Sequence, residues 1–79
     1  MEKLKVITPE FWLDMFPDKP WHLILFEEKD SNLTLDKTIA VGECFFVVEV
    51  SESWVRIQTE DGIHGWLKPH VLEGSTEKV

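Results

Sequence analysis

The sequence has no tyrosine, only one cysteine, no long apolar run and few basic residues for its size. A single cysteine, Cys44, excludes a disulfide within the chain. No apolar run approaches the roughly 20 residues that a membrane-spanning helix needs, so we do not expect an integral membrane protein. Because the first residues lack a charged segment followed by an apolar one, we expect no secretory signal and a cytoplasmic location.

The shortage of basic residues sets the charge of the chain. Fifteen Asp and Glu against eight Lys and Arg give a formal net charge of −7. Such a charge repels phosphate backbones and anionic lipid surfaces, so we expect neither nucleic acid nor membrane as a partner. The acids are spread along the chain and are densest at 27–30 and 60–61. Ordinary solubility accounts for them; the alternative is an acidic inhibitor or antitoxin-like protein that acts by charge.

The length, 79 residues, is enough for one domain with a small core. A chain of this size buries only about 60 to 65% of its unfolded surface, so aromatic side chains must supply much of the core. Four Trp and five Phe are present for this purpose.

The first 20 residues predict a strand or arm followed by a short helix. The segment "KLKVIT" alternates polar and apolar residues with the period of a strand. Thr8 can cap a helix, and Pro9 suits the first helical position, where its missing N–H is not needed. The pattern predicts a helix from Pro9 to Phe16, with Trp12 and Phe16 closing one open end of a small barrel; the alternative is a helix that binds a partner through Trp12 and Phe16.

From Trp21 onward the periodicity changes to that of short strands. "WHLILF" predicts a strand, "EEKDSNLTLDKT" a polar loop, and "IAVGECFFVVEV" two strands separated at Gly42. The segments "WVRIQT" and "IHGWL" predict two more strands. We expect an arm and helix in 1–20, a barrel in 21–73 and a disordered tail in 74–79.

The last two predicted strands form a hairpin around "EDG", residues 60–62. A three-residue loop of this kind places Gly last, in the left-handed conformation. Val55 then lies opposite Leu67, and Ile57 lies opposite Gly65. A two-residue Asp-Gly loop would instead pair Ile57 with Trp66 and turn that Trp inward. The first register gives a consistent apolar inner face, and it places these residues on the outer face: Trp54, Arg56, Gln58, His64 and Trp66.

These segments together resemble the SH3 superfamily of small β-barrels, and most closely the bacterial SH3-like domains. The resemblance rests on the strand "GECFFVVEV", the Trp-led strand "SWVRIQT", the turn at "DG", the "GW" of "HGWL" and the exit "KPHVLE". It implies an all-β, SH3-like barrel with the short N-terminal helix packed against it. It also implies a shallow aromatic groove beside an acidic loop, formed by Trp54, Pro69, Glu27, Glu28 and Asp30.

We therefore expect a non-catalytic interaction module that binds a protein or peptide. Because the chain lacks tyrosine, we do not expect recognition of PxxP helices, which depends on aromatic ridges. The partner should present an apolar or aromatic group beside basic charge. A cell-wall or glycan-binding module of the SH3-like kind is a further alternative. The expected binding residues are Trp54, Trp66, Pro69, Arg56, His64, Glu27, Glu28 and Asp30.

Two expectations limit the chemistry of this surface. Trp54 and Trp66 have a second interpretation, in which at least one of them chiefly covers the edge of a thin core.

Cys44 could pair with a histidine as nucleophile and base, but no motif fixes that geometry. Since no regular metal-ligand spacing is present either, we expect no enzyme, metal or cofactor, and a buried Cys44. The histidines concerned are His22, His64 and His70.

Overall fold

The computed structural model describes residues 2–29 and 33–79, which form one antiparallel sheet with two short helices. The strands follow the order β3-β2-β6-β5-β4-β1-β7, so β3 and β7 are the edges of the sheet in the described ranges. The predicted all-β class is confirmed. The elements are β1 (Glu2–Val6), α1 (Glu10–Met15), β2 (His22–Phe26), β3 (Thr34–Ala40), β4 (Cys44–Val50), β5 (Val55–Thr59), β6 (His64–Leu67), α2 (Pro69–Leu72) and β7 (Thr76–Lys78).

The first strand is an inner strand of the sheet, although the sequence predicts an addition outside the barrel. β1 pairs with β4 on one side and with β7 on the other. Its alternation is the predicted one, because Leu4 and Val6 are buried while Lys5 is exposed. The N-terminal segment therefore contributes directly to the core.

The C-terminal segment, predicted to be disordered from residue 74, is ordered as β7. Val6 lies opposite Thr76 in the antiparallel pair. The Ser75 hydroxyl donates a hydrogen bond to the carbonyl of Val71, and the Thr76 hydroxyl donates one to the carbonyl of Leu72. These bonds attach the start of β7 to α2, and they help to order a strand that its polar composition does not predict.

The predicted polar loop of residues 27–38 is partly a strand. From Thr34 onward the chain forms β3, which pairs with β2 and places Leu23 opposite Ile39. The predicted break at Gly42 is confirmed, since this residue has a φ of +94° between β3 and β4. Asp30, one of the expected binding residues, lies outside the described residues.

One core cluster lies on the inner face of the sheet. Its members come from six strands, and β1 and β3 both contribute although four strands lie between them in the sheet. A flat sheet would keep those side chains apart, so the sheet curves around its own core. The cluster consists of Leu4, Val6, Leu23, Leu25, Ile39, Phe45, Val55, Ile57 and Leu67.

The helix α1 is shorter than predicted and lies on the surface. Pro9, rather than Thr8, occupies the N-cap position, and no side chain caps the helix. None of its residues is buried. A helix of 6 residues is unstable alone, so its position depends on contacts with the sheet. Neither helix of the described chain has the length and apolar character needed to cross a membrane.

The hairpin between β5 and β6 has the predicted register. Val55 lies opposite Leu67 and Ile57 lies opposite Gly65. Gly62 has a φ of +89°, as a three-residue loop ending in glycine requires. This turn therefore determines which side chains of β5 and β6 lie on the outer face of the sheet.

Replacing Gly62 with valine should lower the free energy of unfolding by more than about 1 kcal/mol, because a β-branched residue at positive φ is a steric outlier. A Cβ atom at this position would meet no neighbouring atom within 4 Å, so the cost comes from the backbone alone. Urea denaturation followed by circular dichroism measures it. Gly62→Asn is the matched variant and should lose less, since Asn tolerates positive φ. Equal stability of all three proteins would contradict the expectation.

Candidate functional site: two apolar cavities beside Trp21

The outer face of the hairpin continues onto β2. Trp66 lies opposite Arg56 in β5 and opposite Phe26 in β2. The Phe26 ring also meets the Trp54 ring edge to face, with 5.6 Å between centroids and 84° between planes. The structure thus brings Trp54 and Trp66 together around Phe26, a residue that the sequence did not single out.

Trp54 is buried, which corrects its expected role as an exposed anchor. Its side chain is only 3% exposed, and Lys68 Nζ lies 4.6 Å from the centroid of its ring. A Trp held between Phe26 and the Lys68 stem supports the fold rather than an open ligand surface. Of the two interpretations of this residue, the structure favours the one in which it covers the core.

Basic side chains contact both Trp rings. Besides Lys68, Lys29 Nζ lies 6.0 Å from the centroid of the Trp66 ring. Glu27 and Glu28 are exposed and directly follow Phe26 at the end of β2. The acids therefore lie at one end of this face, and cations of the protein itself cover its rings.

The remaining predicted site residues are placed separately. Pro69 is the first residue of α2 and is half-buried. His64 is exposed at the start of β6, where it pairs with Gln58 rather than with either Trp. Neither residue lines the cavity that Trp54 borders with Lys29 and residues 51–53.

An apolar groove of about 560 Å³ runs along the outer face of β2. Ile24 lines this groove and is 49% exposed. Phe26 closes one end and links the groove to the Trp54 and Trp66 rings. The lining is completed by Trp12, Lys19, Pro20, Trp21, His22, Leu23 and Val71.

Aromatic stacking forms the wall of the groove at the other end. The Trp12 ring lies 5.0 Å from the Trp21 ring and 4.7 Å from the Phe16 ring, centroid to centroid. Trp12 Nε1 donates a hydrogen bond of 2.8 Å to the carbonyl of Lys19, which fixes the indole. Trp12 and Phe16, which are expected to close a barrel end, are half-buried, and the Trp12 ring contacts both Trp21 and Phe16.

Trp21 has a buried polar atom. Its Nε1 forms no hydrogen bond with any residue in 2–29 or 33–79. Most buried indole N–H groups in native proteins are paired, so an orphan donor needs an explanation. The same side chain borders both the groove and a second cavity of about 240 Å³.

This second cavity lies between α1 and α2. The Phe11 ring meets the Trp21 ring at 87° with 5.7 Å between centroids, and Phe11 is 55% exposed. The other lining residues are Pro9, His70, Val71, Glu73 and Ser75. No sequence pattern predicts this cavity, because its walls come from two distant segments, residues 9–21 and 70–75.

A third, polar cavity of about 280 Å³ surrounds the β5–β6 turn. Cys44 is half-buried there rather than buried, and its backbone N–H donates to Glu60. The Thr59 hydroxyl donates to Asp61, and this bond, helped by Lys37 at 3.4 Å, lowers the pKa of the Asp61 carboxyl. These bonds hold the turn together.

The residues of the catalytic alternative are dispersed. His22 borders the groove, His70 borders the second cavity and His64 lies on β6, whereas Cys44 borders the polar cavity. Among residues 2–29 and 33–79, no three His, Cys, Asp or Glu side chains are grouped to hold a metal ion. No nucleophile and base are brought together at any of the cavities described above.

The aromatic groove and its neighbouring cavity must be interpreted from their own geometry. Comparison of the chain with protein-family models, with curated proteins and with solved structures finds no match.

Proposed function

We propose that the protein is a non-catalytic interaction module that binds an extended segment of another protein in the groove along β2. The observation that carries this proposal is the groove itself: an open, apolar cavity of about 560 Å³ bordered by three aromatic side chains. Apolar, aromatic clefts with few polar groups are the usual form of a ligand site.

The exposed isoleucine supports binding rather than packing. Ile24 projects from the outer face between Trp21 and Phe26. Fully covering a side chain of this size contributes about 1.5 to 3 kcal/mol. Because Ile24 is 49% exposed, a partner that covers it with an apolar side chain gains at most about half of this contribution.

The charges around the groove differ at its two ends. Lys19 and His22 border the groove together with Trp21, and none of its lining residues in 2–29 or 33–79 is an acid. Glu27 and Glu28 follow directly after Phe26 at the other end. An extended segment with apolar residues in its centre and basic residues toward Phe26 would match this arrangement. Such a segment agrees with the basic partner that the sequence predicts.

The fold adds support for an SH3-like barrel, the architecture implied by the resemblance. The antiparallel series β4, β5 and β6, followed by the one-turn helix α2, follows the sequence of elements that the resemblance implies. The curvature of the sheet around one core is also expected of a barrel. On this proposal the helix α1 and β2 supply the groove.

The test is a selection of peptides from a random display library on the immobilised protein, followed by calorimetric titration of the enriched peptide. Ile24→Lys should weaken its binding at least about tenfold, which corresponds to about 1.4 kcal/mol. Val50→Lys is the matched control, because Val50 is an exposed strand residue outside the groove. Its affinity should equal that of the unmodified protein. The proposal is wrong if no peptide is enriched, or if Ile24→Lys binds as well as Val50→Lys.

A further inference from the structure

The cavity between α1 and α2 has walls suited to a cation. Phe11 and Trp21 stand at 87° to each other, so their rings form two sides of a corner. The face of an aromatic ring carries negative potential and attracts ammonium and guanidinium groups. Pro9 and Val71 add apolar surface, against which the methylene stem of a long side chain can pack.

A carboxylate borders the same corner. Glu73 is exposed, and its side chain forms no salt bridge with any residue in 2–29 or 33–79. Its backbone N–H is already used, because it donates to the carbonyl of His70. The carboxylate is thus available for a cation that enters the cavity from outside.

The charge of the whole chain favours the same ligand. A net charge of −7 attracts cationic groups at long range. Lys19, which borders the groove, and Lys68, which directly precedes α2, contact other rings: Lys19 Nζ lies 5.5 Å from the Phe16 ring and Lys68 Nζ lies 4.6 Å from the Trp54 ring. Neither borders the cavity.

We infer that this cavity receives a lysine or arginine side chain of the partner protein, with the cation against Phe11 and Trp21 and paired with Glu73. This inference rests on the proposed function, because Trp21 and Val71 border both the cavity and the groove. A segment bound on Ile24 therefore has a neighbouring residue within reach of the cavity. The Trp21 side chain would therefore contact both the segment in the groove and the cation in the cavity.

The test uses small probes that isolate the cation. Nα-acetyl-lysine methylamide, the corresponding arginine compound and the neutral norleucine compound are titrated into the isotope-labelled protein, and the indole N–H resonance of Trp21 is followed by NMR. The two cationic probes should shift this resonance to saturation at millimolar concentration. The norleucine compound should bind at least fivefold more weakly. Equal binding of the neutral compound, or no shift at Trp21, would overturn the inference.

Charge-matched variants locate the contact. Glu73→Gln should weaken the lysine probe at least threefold, whereas Glu49→Gln, which removes the same charge from an exposed strand residue that does not line the cavity, should leave its affinity unchanged. Both positions are exposed, so thermal melting should show two folded proteins. Equal losses in the two variants would mean that only net charge matters, which contradicts a defined site.

The enriched peptide separates this inference from the proposed function. If the peptide depends on Ile24 while Glu73→Gln leaves its affinity unchanged, the groove binds a partner and the cation site is wrong. If the lysine probe depends on Glu73 while the peptide is insensitive to Ile24→Lys, the cation site stands and the proposed groove is wrong.

Discussion

Replacing Trp54 with alanine should unfold much of the protein at room temperature rather than merely weaken binding. The side chain is 3% exposed, packs edge to face on Phe26 and lies beneath Lys68. Truncation of a buried aromatic residue costs about 3 to 5 kcal/mol, and a domain of this size has little more stability than that. Urea denaturation monitored by circular dichroism measures the loss.

Two companion variants make the result interpretable. Trp54→Phe keeps an aromatic ring on Phe26 and should recover a large part of the lost stability. Trp66→Ala should cost less than Trp54→Ala, because Trp66 is only half-buried on the same face. A stable, folded Trp54→Ala protein would show that this residue is not part of the structural core, and would restore it as a candidate binding residue.

Replacing Gly65 with alanine should lower the free energy of unfolding by about 1 to 3 kcal/mol, the usual cost of overpacking a core. A Cβ atom at this position would lie 2.8 Å from the Leu25 Cβ and 3.0 Å from its Cδ1. Leu25 is fully buried, so it has no free space into which to move. The strands β2 and β6 would have to separate, and the melting temperature should fall accordingly.

A double-mutant cycle tests whether this contact is the cause. Leu25→Ala removes Cγ and Cδ1, two of the three nearest atoms. The double variant should therefore lose less stability than the sum of the two single losses, by at least about 0.5 kcal/mol. If the two single losses simply add, the stability lost in Gly65→Ala does not come from the contact with Leu25. Gly42→Ala is a poor control because of its positive φ, whereas Ala40→Gly tests the same size change on an exposed strand position.

The sequence predicted those parts of the fold that depend on local patterns. The β5–β6 register follows from a three-residue turn and three apolar residues, and both signals are contained within 15 positions. The break at Gly42 and the alternation of β1 are of the same kind. The strand β7 was missed because "TEK" has no apolar residue, and its order depends on pairing with β1, more than 70 residues away.

The candidate site was predicted less well, and for a physical reason. Trp54, Trp66 and the acids 27 and 28 were identified by residue type, but residue type does not tell whether a Trp ring is exposed or covered. The groove depends on where α1 lies against β2, which is a tertiary contact. One signal was present: Ile24 occupies an outward position of β2, opposite in phase to the buried Leu23 and Leu25.

Because β1 lies between β4 and β7, one of its edges must remain unpaired for most of the time in which the chain is synthesised. β1 is made first of the seven strands and can pair with β4 once that strand has emerged from the ribosome. Its other edge stays unpaired until β7 follows. Exposed strand edges are templates for association between nascent chains. The charges of Lys3 and Lys5 on β1 oppose such contacts until this edge pairs with Glu77 and Lys78 of β7.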